Sequence, residues 1–408
     1  MERYSEYKDS GVKWLGEIPS HWELLKSKYL WKETFENSTS GKEDLLSVSQ
    51  YTGVTKSKAD SRSESLIGYK IVHKDDLVIN IMLAWLGGLG VSNDEGVVSP
   101  AYCTYKLIRD YNPKFLHYLY KTPMYLAEFA RHSTGVVPSR WRMYTDDFGQ
   151  VVSLLPPVGE QDAIVRYLDA TTSKIDKAIA MQQKMIDLLN ERKQIIIQNA
   201  VTKGLDENVE MKDSGVECFG LIPSHWKVIG WNHIFENLDK LREPISAEQR
   251  SRNNPKYDYY GASGVIDKID YYNVDDKVLL IGEDGANLKM RNLPLVYKAS
   301  GKIWVNNHAH ILKPKVDSYD YMAYLMELFD YNPYITGSAQ PKLSQEQLGT
   351  IRLCVPPIDE QNKIAIHLNR HLHGFDSAIT NCQRQISLLQ ERKQIIINEV
   401  VTGKVKVS

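Results

Sequence analysis

The chain has 408 residues, 42% of them hydrophobic, which excludes a disordered segment and is enough to bury real cores in two or three domains. With 50 Lys and Arg against 51 Asp and Glu, the formal charge is −1. The molecule as a whole therefore has no net attraction for nucleic acid, and any nucleic-acid surface must be local.

The amino terminus, MERYSEYKDSGVKW, is polar and lacks the apolar core of a signal peptide, and no run of ~18 apolar residues occurs to span a membrane. A cytoplasmic protein is expected. Cys103, Cys218, Cys354 and Cys382 have neither a CxxC pair nor a His at ligand spacing. They are expected to be buried small hydrophobes rather than zinc ligands or disulfide partners.

In chain order the first element is an N-terminal hook, residues 1–22, which holds KDSGVKWLGEIPSHW at 8–22. A block at 23–155 follows, with the β-like run DDLVINIML (75–83) and the helical FLHYLYKT (115–122) among Gly, Asn and Asp turns. Residues 156–203 then read as one helical region, entered by PPVGEQ (156–161) and left through LLNERKQIII (188–197). A linker and second hook occupy 204–226, where KDSGVECFGLIPSHW (212–226) repeats the first hook 204 positions on. The second block, 227–355, carries DDKVLLIG (275–282) and YMAYLMELF (321–329). The C-terminal helical region, 356–408, carries PPIDEQ (356–361) and LLQERKQIII (388–397), 200 positions after their first copies. The chain is a tandem duplication of a unit of about two hundred residues.

Gly159 and Asp359 are placed to N-cap the two helices, with Glu160 and Glu360 in the first turn, where a carboxylate favours the helix dipole. Spacings of four and three define a heptad seam: Leu168, Thr172, Ile175, Ile179, Gln182, Ile186, Leu189, Lys193 and Ile196 in the first copy. The second copy carries Leu368, Leu372, Phe375, Ile379, Cys382, Ile386, Leu389, Lys393 and Ile396. A helix of ~40 residues reaches ~60 Å and cannot bury so narrow a seam alone. The simplest partner is the other copy. An antiparallel pair is expected, since a parallel one would crowd both blocks at one end. Gln182, Lys193 and Lys393 either fix the register or merely snorkel. The expected fold class is α+β: two mixed α/β domains separated by two long helices in an antiparallel coiled coil, a pseudo-two-fold tandem repeat.

Hooks and helices are alike in the two halves, whereas the loops of the two blocks share little. One reaction catalysed twice would need the same side chains twice, so the contrast points to recognition of two different targets. Residues 286–315 contain Lys289, Arg291, Lys298, Lys302, Lys313 and Lys315 with no acid, and residues 129–144 contain Arg131, Arg140 and Arg142 likewise. Such runs are either solvated surface or phosphate-neutralising, with Asn and Arg able to reach base edges. RWRMYTDDF (140–148) aligns without gaps onto QPKLSQEQL (340–348), setting Arg142 on Lys342 and Arg140 on Gln340. Trp141 either stacks on nucleic acid or packs inside. Asn306, Asn307, His308 and His310 form either a satisfied turn or a base-contacting loop. Asn287 in GEDGAN, with Lys289 and Arg291 just beyond, completes the candidate DNA contacts.

Enzymatic motifs are missing. There is no GxxxxGK[ST], GxGxxG or HExxH, and LGGLG (86–90) reads as a turn. NPY at 332–334 lacks the second proline of the [DNS]PP[YFW] pattern of amino-methyltransferases. Glu283 and Asp284 read as loop or interface groups, without a third ligand to make a metal site.

The PPxxEQ entry, the ERKQxII exit, the KDSGVxWxGxIPxHW hook, with Cys218 in place of its first Trp in the second copy, and their repetition together resemble the DNA specificity subunit of type I restriction–modification systems, over essentially the whole chain. The resemblance implies that 23–155 and 227–355 are target-recognition domains, each reading half of a split site on double-stranded DNA, with the helices as spacer. It implies two methyltransferase subunits and motor–nuclease subunits as partners, and no cofactor on this chain, S-adenosylmethionine and ATP being bound by those partners. The outward basic residues Arg166, Lys174, Lys177, Lys184 and Arg192 are then the expected docking surface for the methyltransferases. A self-sufficient DNA enzyme and a purely structural adaptor are the competing readings.

Overall fold

The two heptad seams form uninterrupted helices, Val158–Lys203 and Ile358–Val401. The computed structural model describes residues 2–50, 52–57, 65–137, 140–248, 250, 255–337 and 341–407. At about 1.5 Å per residue each helix is roughly 65–70 Å long. Every seam position is buried or half-buried, and most of the intervening positions are exposed. Gly159 and Asp359 do not cap these helices. Each helix begins one residue earlier, and the carbonyls of Pro157 and Pro357 accept the first-turn amides of Glu160 and Gln161, and of Glu360 and Gln361. The proline ahead of each helix thus stands at the N-cap position, where its backbone carbonyl accepts the first helical bonds as at any helix start.

By its internal contacts the chain divides into two units, residues 1–183 with 383–408, and residues 184–382. Each unit thus holds one hook, one block, the start of one long helix and the end of the other. Within the first unit the helix segments run antiparallel, and Lys393 Nζ meets Asp176 Oδ1 at 2.7 Å. Within the second, Lys193 Nζ meets Asp376 Oδ1 at 2.6 Å. The lysines on the seam are therefore paired across it. Their aspartates are more than half exposed, at 55% and 59%, so each pair supplies register more than stability, about 0–1 kcal/mol.

The helix ends complete the cores. In the first unit Ile164 and Leu168 from the start of one helix, and Ile397, Val400 and Val401 from the end of the other, surround Trp22, Phe115 and Leu119. In the second, Ile364, Leu368 and Leu372 join Ile197, Ala200 and Val201 around Trp226, Tyr321 and Met322. The doubled LLxERKQIII is accounted for here, because its last isoleucine enters a core in both units.

Each hook is a small antiparallel hairpin, Tyr7–Asp9 with Glu17–Pro19 and Met211–Asp213 with Leu221–Pro223. Its SHW end grips the glutamate of PPxxEQ. His21 Nε2 lies 2.8 Å from Glu160 Oε2 and the Trp22 indole N–H donates to Oε1 at 3.1 Å. His225 and Trp226 hold Glu360 in the same way, at 2.7 and 3.2 Å. The neighbouring glutamines are used equally. Gln161 bridges the Pro156 carbonyl and the Asn112 amide, and Gln361 bridges the Pro356 carbonyl and the Ser318 amide, tying each long helix to the head of a helix in its block.

The chain enters and leaves each block through an antiparallel clip, Glu23–Lys26 with Val152–Leu155 and Lys227–Gly230 with Arg352–Val355. Inside the first block an antiparallel sheet runs in the order Trp31–Thr34, Cys103–Leu107, Leu77–Ile79, Leu89–Val91, with helices Pro113–Tyr120 and Pro123–Arg131. The second block has a six-stranded sheet in the order Phe235–Asn237, Ala309–Pro314, Val274–Gly282, Val296–Val305, Tyr257–Gly261, Gly264–Ile269, with helix Tyr319–Leu328. Of the cysteines, Cys354 is buried, Cys103 and Cys382 are half-buried, and all four are free thiols. Cys218 is exposed, contrary to expectation, because the turn of the second hook places it outward.

Trp22 and Trp226 are fully buried, so their indole N–H groups depend on Glu160 and Glu360. Glu160→Ala and Glu360→Ala are each expected to cost roughly 1–3 kcal/mol, and the Gln variants, which keep an acceptor, less. Urea unfolding of the full chain measures this. Unchanged midpoints for the Ala variants would show that the grip is dispensable.

Candidate nucleic-acid interface

In both units the segment just ahead of the outgoing clip is built on one backbone frame. Thr134 and Arg142 exchange two amide–carbonyl hydrogen bonds, each 2.9 Å, and Thr336 and Lys342 exchange two of 2.9 and 2.8 Å. The next residue is a buried anchor, Met143 or Leu343, whose amide donates to a carbonyl just past a central strand, Ile81 or Glu283. A short helix follows each, Thr145–Gln150 and Gln345–Thr350. Arg142 and Lys342 therefore occupy equivalent places, as the gapless alignment expects. Gln340, aligned with Arg140, lies outside the described residues.

What surrounds the frame differs. In the first unit Arg140 is exposed and the half-buried Trp141 meets Trp85 edge-on, centroids 5.3 Å apart and planes at 66°. The Arg142 guanidinium donates to the Trp141 carbonyl at 2.8 Å. Arg131 is held by a two-pronged ion pair with Glu128, 2.8 and 2.6 Å.

In the second unit the frame is ringed by charge. Glu283 accepts from Arg242 at 2.7 Å and from Lys342 at 3.3 Å, and Asp284 meets the exposed His308 at 3.0 Å. Beneath them the buried His310 spans Asp239 Oδ2 at 2.6 Å and the Leu343 carbonyl at 2.7 Å. Burial pushes the Asp239 carboxyl up, but the hydrogen bond and charge of His310, the Ile311 amide and Arg242 outweigh it and hold the group below its ordinary 3.8. Burial opposes ionisation of Glu283 as well, yet hydrogen bonds from Arg242 and Lys342, with the charges of Arg242 and His310, keep it below 4.5. Glu283 and Asp284 are thus engaged in ion pairs within the block. Among the described residues no three His, Cys, Asp or Glu are grouped to hold a metal ion.

Several candidate contacts are hydrogen-bonded within the fold. The Asn306 side chain is buried and closes a turn by accepting from the His308 amide at 2.8 Å. Asn287 pins a second turn through the Leu293 amide and the Leu293 and Pro294 carbonyls. Arg291, at φ +50°, spreads its guanidinium over the carbonyls of Glu327, Leu328 and Phe329, where the helix Tyr319–Leu328 ends. The acid-free run 286–315 is not a free basic patch. Lys298 pairs with Asp320 and Lys313 with Asp276, Lys315 donates to the Asn232 carbonyl, and Lys302 lies over the Tyr272 ring. Lys289 and Asn307 are exposed. Arg242 and Trp85 were not singled out by sequence. Neither has a motif, and only the folded strand ends bring them to the frame.

On the long helices Arg166, Lys174, Lys177, Lys184 and Arg192 are all exposed. Apolar residues stand out beside them: Leu188 and Ile195 are each half exposed, and so are their repeats Leu388 and Ile395. Arg192 and Arg392 lie between the members of each pair on the same helical face.

A family model described as the type I restriction modification DNA specificity domain matches residues 223–390. A putative type I restriction enzyme specificity subunit of Haemophilus influenzae is 28% identical over 141 residues, 34% of this chain and 35% of that protein. The putative type I restriction enzyme MjaX specificity subunit of Methanocaldococcus jannaschii is 22% identical over 439 residues, covering 96% of each. A solved chain from a study of complex assembly and conformational transition in the type I R-M system superposes with a TM-score of 0.69 at 12% identity, covering 95% of this chain and 99% of that one. That last likeness concerns the fold. Among the described residues no helix is long and apolar enough to cross a membrane.

Asp239 and Glu283 carry folded values below their unfolded ones, so the charged forms favour the folded state. Their contribution is whole above about pH 4.5 and is lost as pH falls through the folded values. Unfolding temperature measured from pH 7 to pH 3 should fall most steeply below that point. Asp239→Asn should start lower at pH 7 and lose less on acidification, and parallel curves for the two proteins would remove Asp239 from the acid response.

Proposed function

We propose that the chain is a noncatalytic DNA specificity subunit of a type I restriction–modification system, and that it reads a split DNA site, one half with each unit. The observation that carries this reading is the shared frame with unlike surroundings. Arg142 and Lys342 sit at one backbone place, beside indoles in one unit and carboxylates in the other. A common cation suits the phosphate backbone, which carries no sequence, while the differing neighbours suit different base edges. Arg140, Trp141, Arg142, Lys289, Asn307, His308 and Lys342 are the proposed DNA-facing residues.

Two half-sites read from one face of B-DNA lie ~34 Å apart or a multiple of that, and the paired helices are proposed as the spacer that fixes the distance. Two methyltransferase subunits dock on the helices, and motor–nuclease subunits complete the complex, in the cytoplasm. Duplication supports the docking. A surface for two copies of one partner must occur twice, and Leu188, Arg192 and Ile195 recur as Leu388, Arg392 and Ile395. The outward Arg166, Lys174, Lys177 and Lys184 form the polar margin of that surface.

Arg142→Ala and Lys342→Ala are expected to weaken DNA binding by the assembled complex roughly 5- to 100-fold without disturbing assembly. Exchange of residues 23–150 for those of another specificity subunit should change one half of the recognised site and leave the other. An exchange that altered both halves would contradict one unit per half-site.

A further inference from the structure

We propose that the first unit recognises a thymine methyl group in its half of the site, through an apolar surface made by Trp85, Trp141, Val136 and Val137. The proposal rests on the reading of the chain as a DNA specificity subunit. Thr134 and Arg142 close a loop whose outward residues include Val136, 95% exposed, and Val137, 44% exposed. The Arg140 amide donates to the Val137 carbonyl at 2.8 Å. Trp141 meets Trp85, whose short helix, Ala84–Leu86, is flanked by the exposed Met82 and Leu83. The Trp85 indole N–H is already given to the Met82 carbonyl at 3.2 Å. This indole thus presents ring carbon rather than a donor.

Exposed valines at a loop tip, in the same segment as one of a pair of half-buried indoles, mark a contact surface. Two features assign it to DNA rather than to a protein. It is flanked by Arg140 and Arg142, suited to phosphates and guanine edges. Among the described residues it also has no counterpart in the second unit, where the residue after the anchoring carbonyl is Asp284 instead of Met82 and the frame is ringed by Arg242, Glu283 and Lys342. A surface for a shared protein partner would recur in both units, as the Leu188 and Leu388 pairs do. Among base-edge features of the major groove, the thymine 5-methyl is the one matched by apolar atoms without a donor or acceptor.

The test uses the complex assembled with its methyltransferase, and duplexes in which each thymine of the recognised site is replaced in turn by uracil. At least one replacement in one half-site is expected to lower affinity roughly three- to tenfold, the worth of one or two buried methylenes. Replacements in the other half-site should have no such effect. Val136→Ser with Val137→Ser, both at exposed positions, and separately Trp141→Ala, should bind thymine and uracil duplexes alike. Specific binding indifferent to uracil in both halves, or a uracil effect that survives these substitutions, would overturn the proposal. So would loss of complex assembly in the valine variant, which would give the surface to a protein. A wild-type complex with no site preference at all would instead sink the underlying reading of the chain.

Discussion

A long helix with an apolar seam barely two residues wide cannot keep that seam from water by itself, and here the duplicate supplies the cover. Each unit pairs the start of one long helix with the end of the other, antiparallel, and then buries the last isoleucine of the incoming end, with Ala200 and Val201 or Val400 and Val401, in its own core. Both copies must therefore match at both ends. That requirement accounts for why PPxxEQ and LLxERKQIII are held alike while the loops between them are not. The glutamate and glutamine of PPxxEQ spend their hydrogen bonds on the hook and on a helix head of the block, so the motif locks helix, hook and block into one unit.

On that fixed frame the exposed chemistry is free to change. Arg142 and Lys342 share a backbone position, yet one lies by the Trp85 and Trp141 indoles and the other is half-neutralised by Glu283. Charge there is rationed. The second unit turns Arg242 and Lys342 inward onto Glu283 and hydrogen-bonds His310 to Asp239 below, which leaves fewer free cations than the sequence holds. Under the proposed function, selective reading gains from this arrangement. A carboxylate beside a lysine lowers indiscriminate attraction to phosphate and leaves contacts that reward one base edge over another.

Elements governed by local periodicity were legible before the fold. The seam, the hooks, the strand at 275–282 and the helices near 115–122 and 321–329 all follow from spacing and repetition. So did the equivalence of Arg142 and Lys342, which rests on an ungapped alignment. Burden shifted wherever a partner came from far away in the chain. The run 286–315 looked like a basic patch because Asp276 and Asp320, which pair with two of its lysines, lie outside it. Asn287, Arg291 and Asn306 are hydrogen-bonded to turns and a helix end that their own segments do not reveal. Gly159 and Asp359 looked like caps because the prolines before them, which carry no side-chain acceptor, start the helices through their carbonyls. Trp85 and Arg242 had no signal in one sequence, being defined only by what the folded strand ends bring beside them.

The central claim is that two unlike reading surfaces act on one DNA molecule at a set separation. The measurement that bears on it most directly is a map of modified bases across the genome of an unmethylated host that expresses this chain with its methyltransferase. A single motif of two specific halves around an unspecific gap of fixed length is the predicted result. Modification without a motif, or a motif whose gap varies from site to site, in a complex shown to assemble, would contradict it.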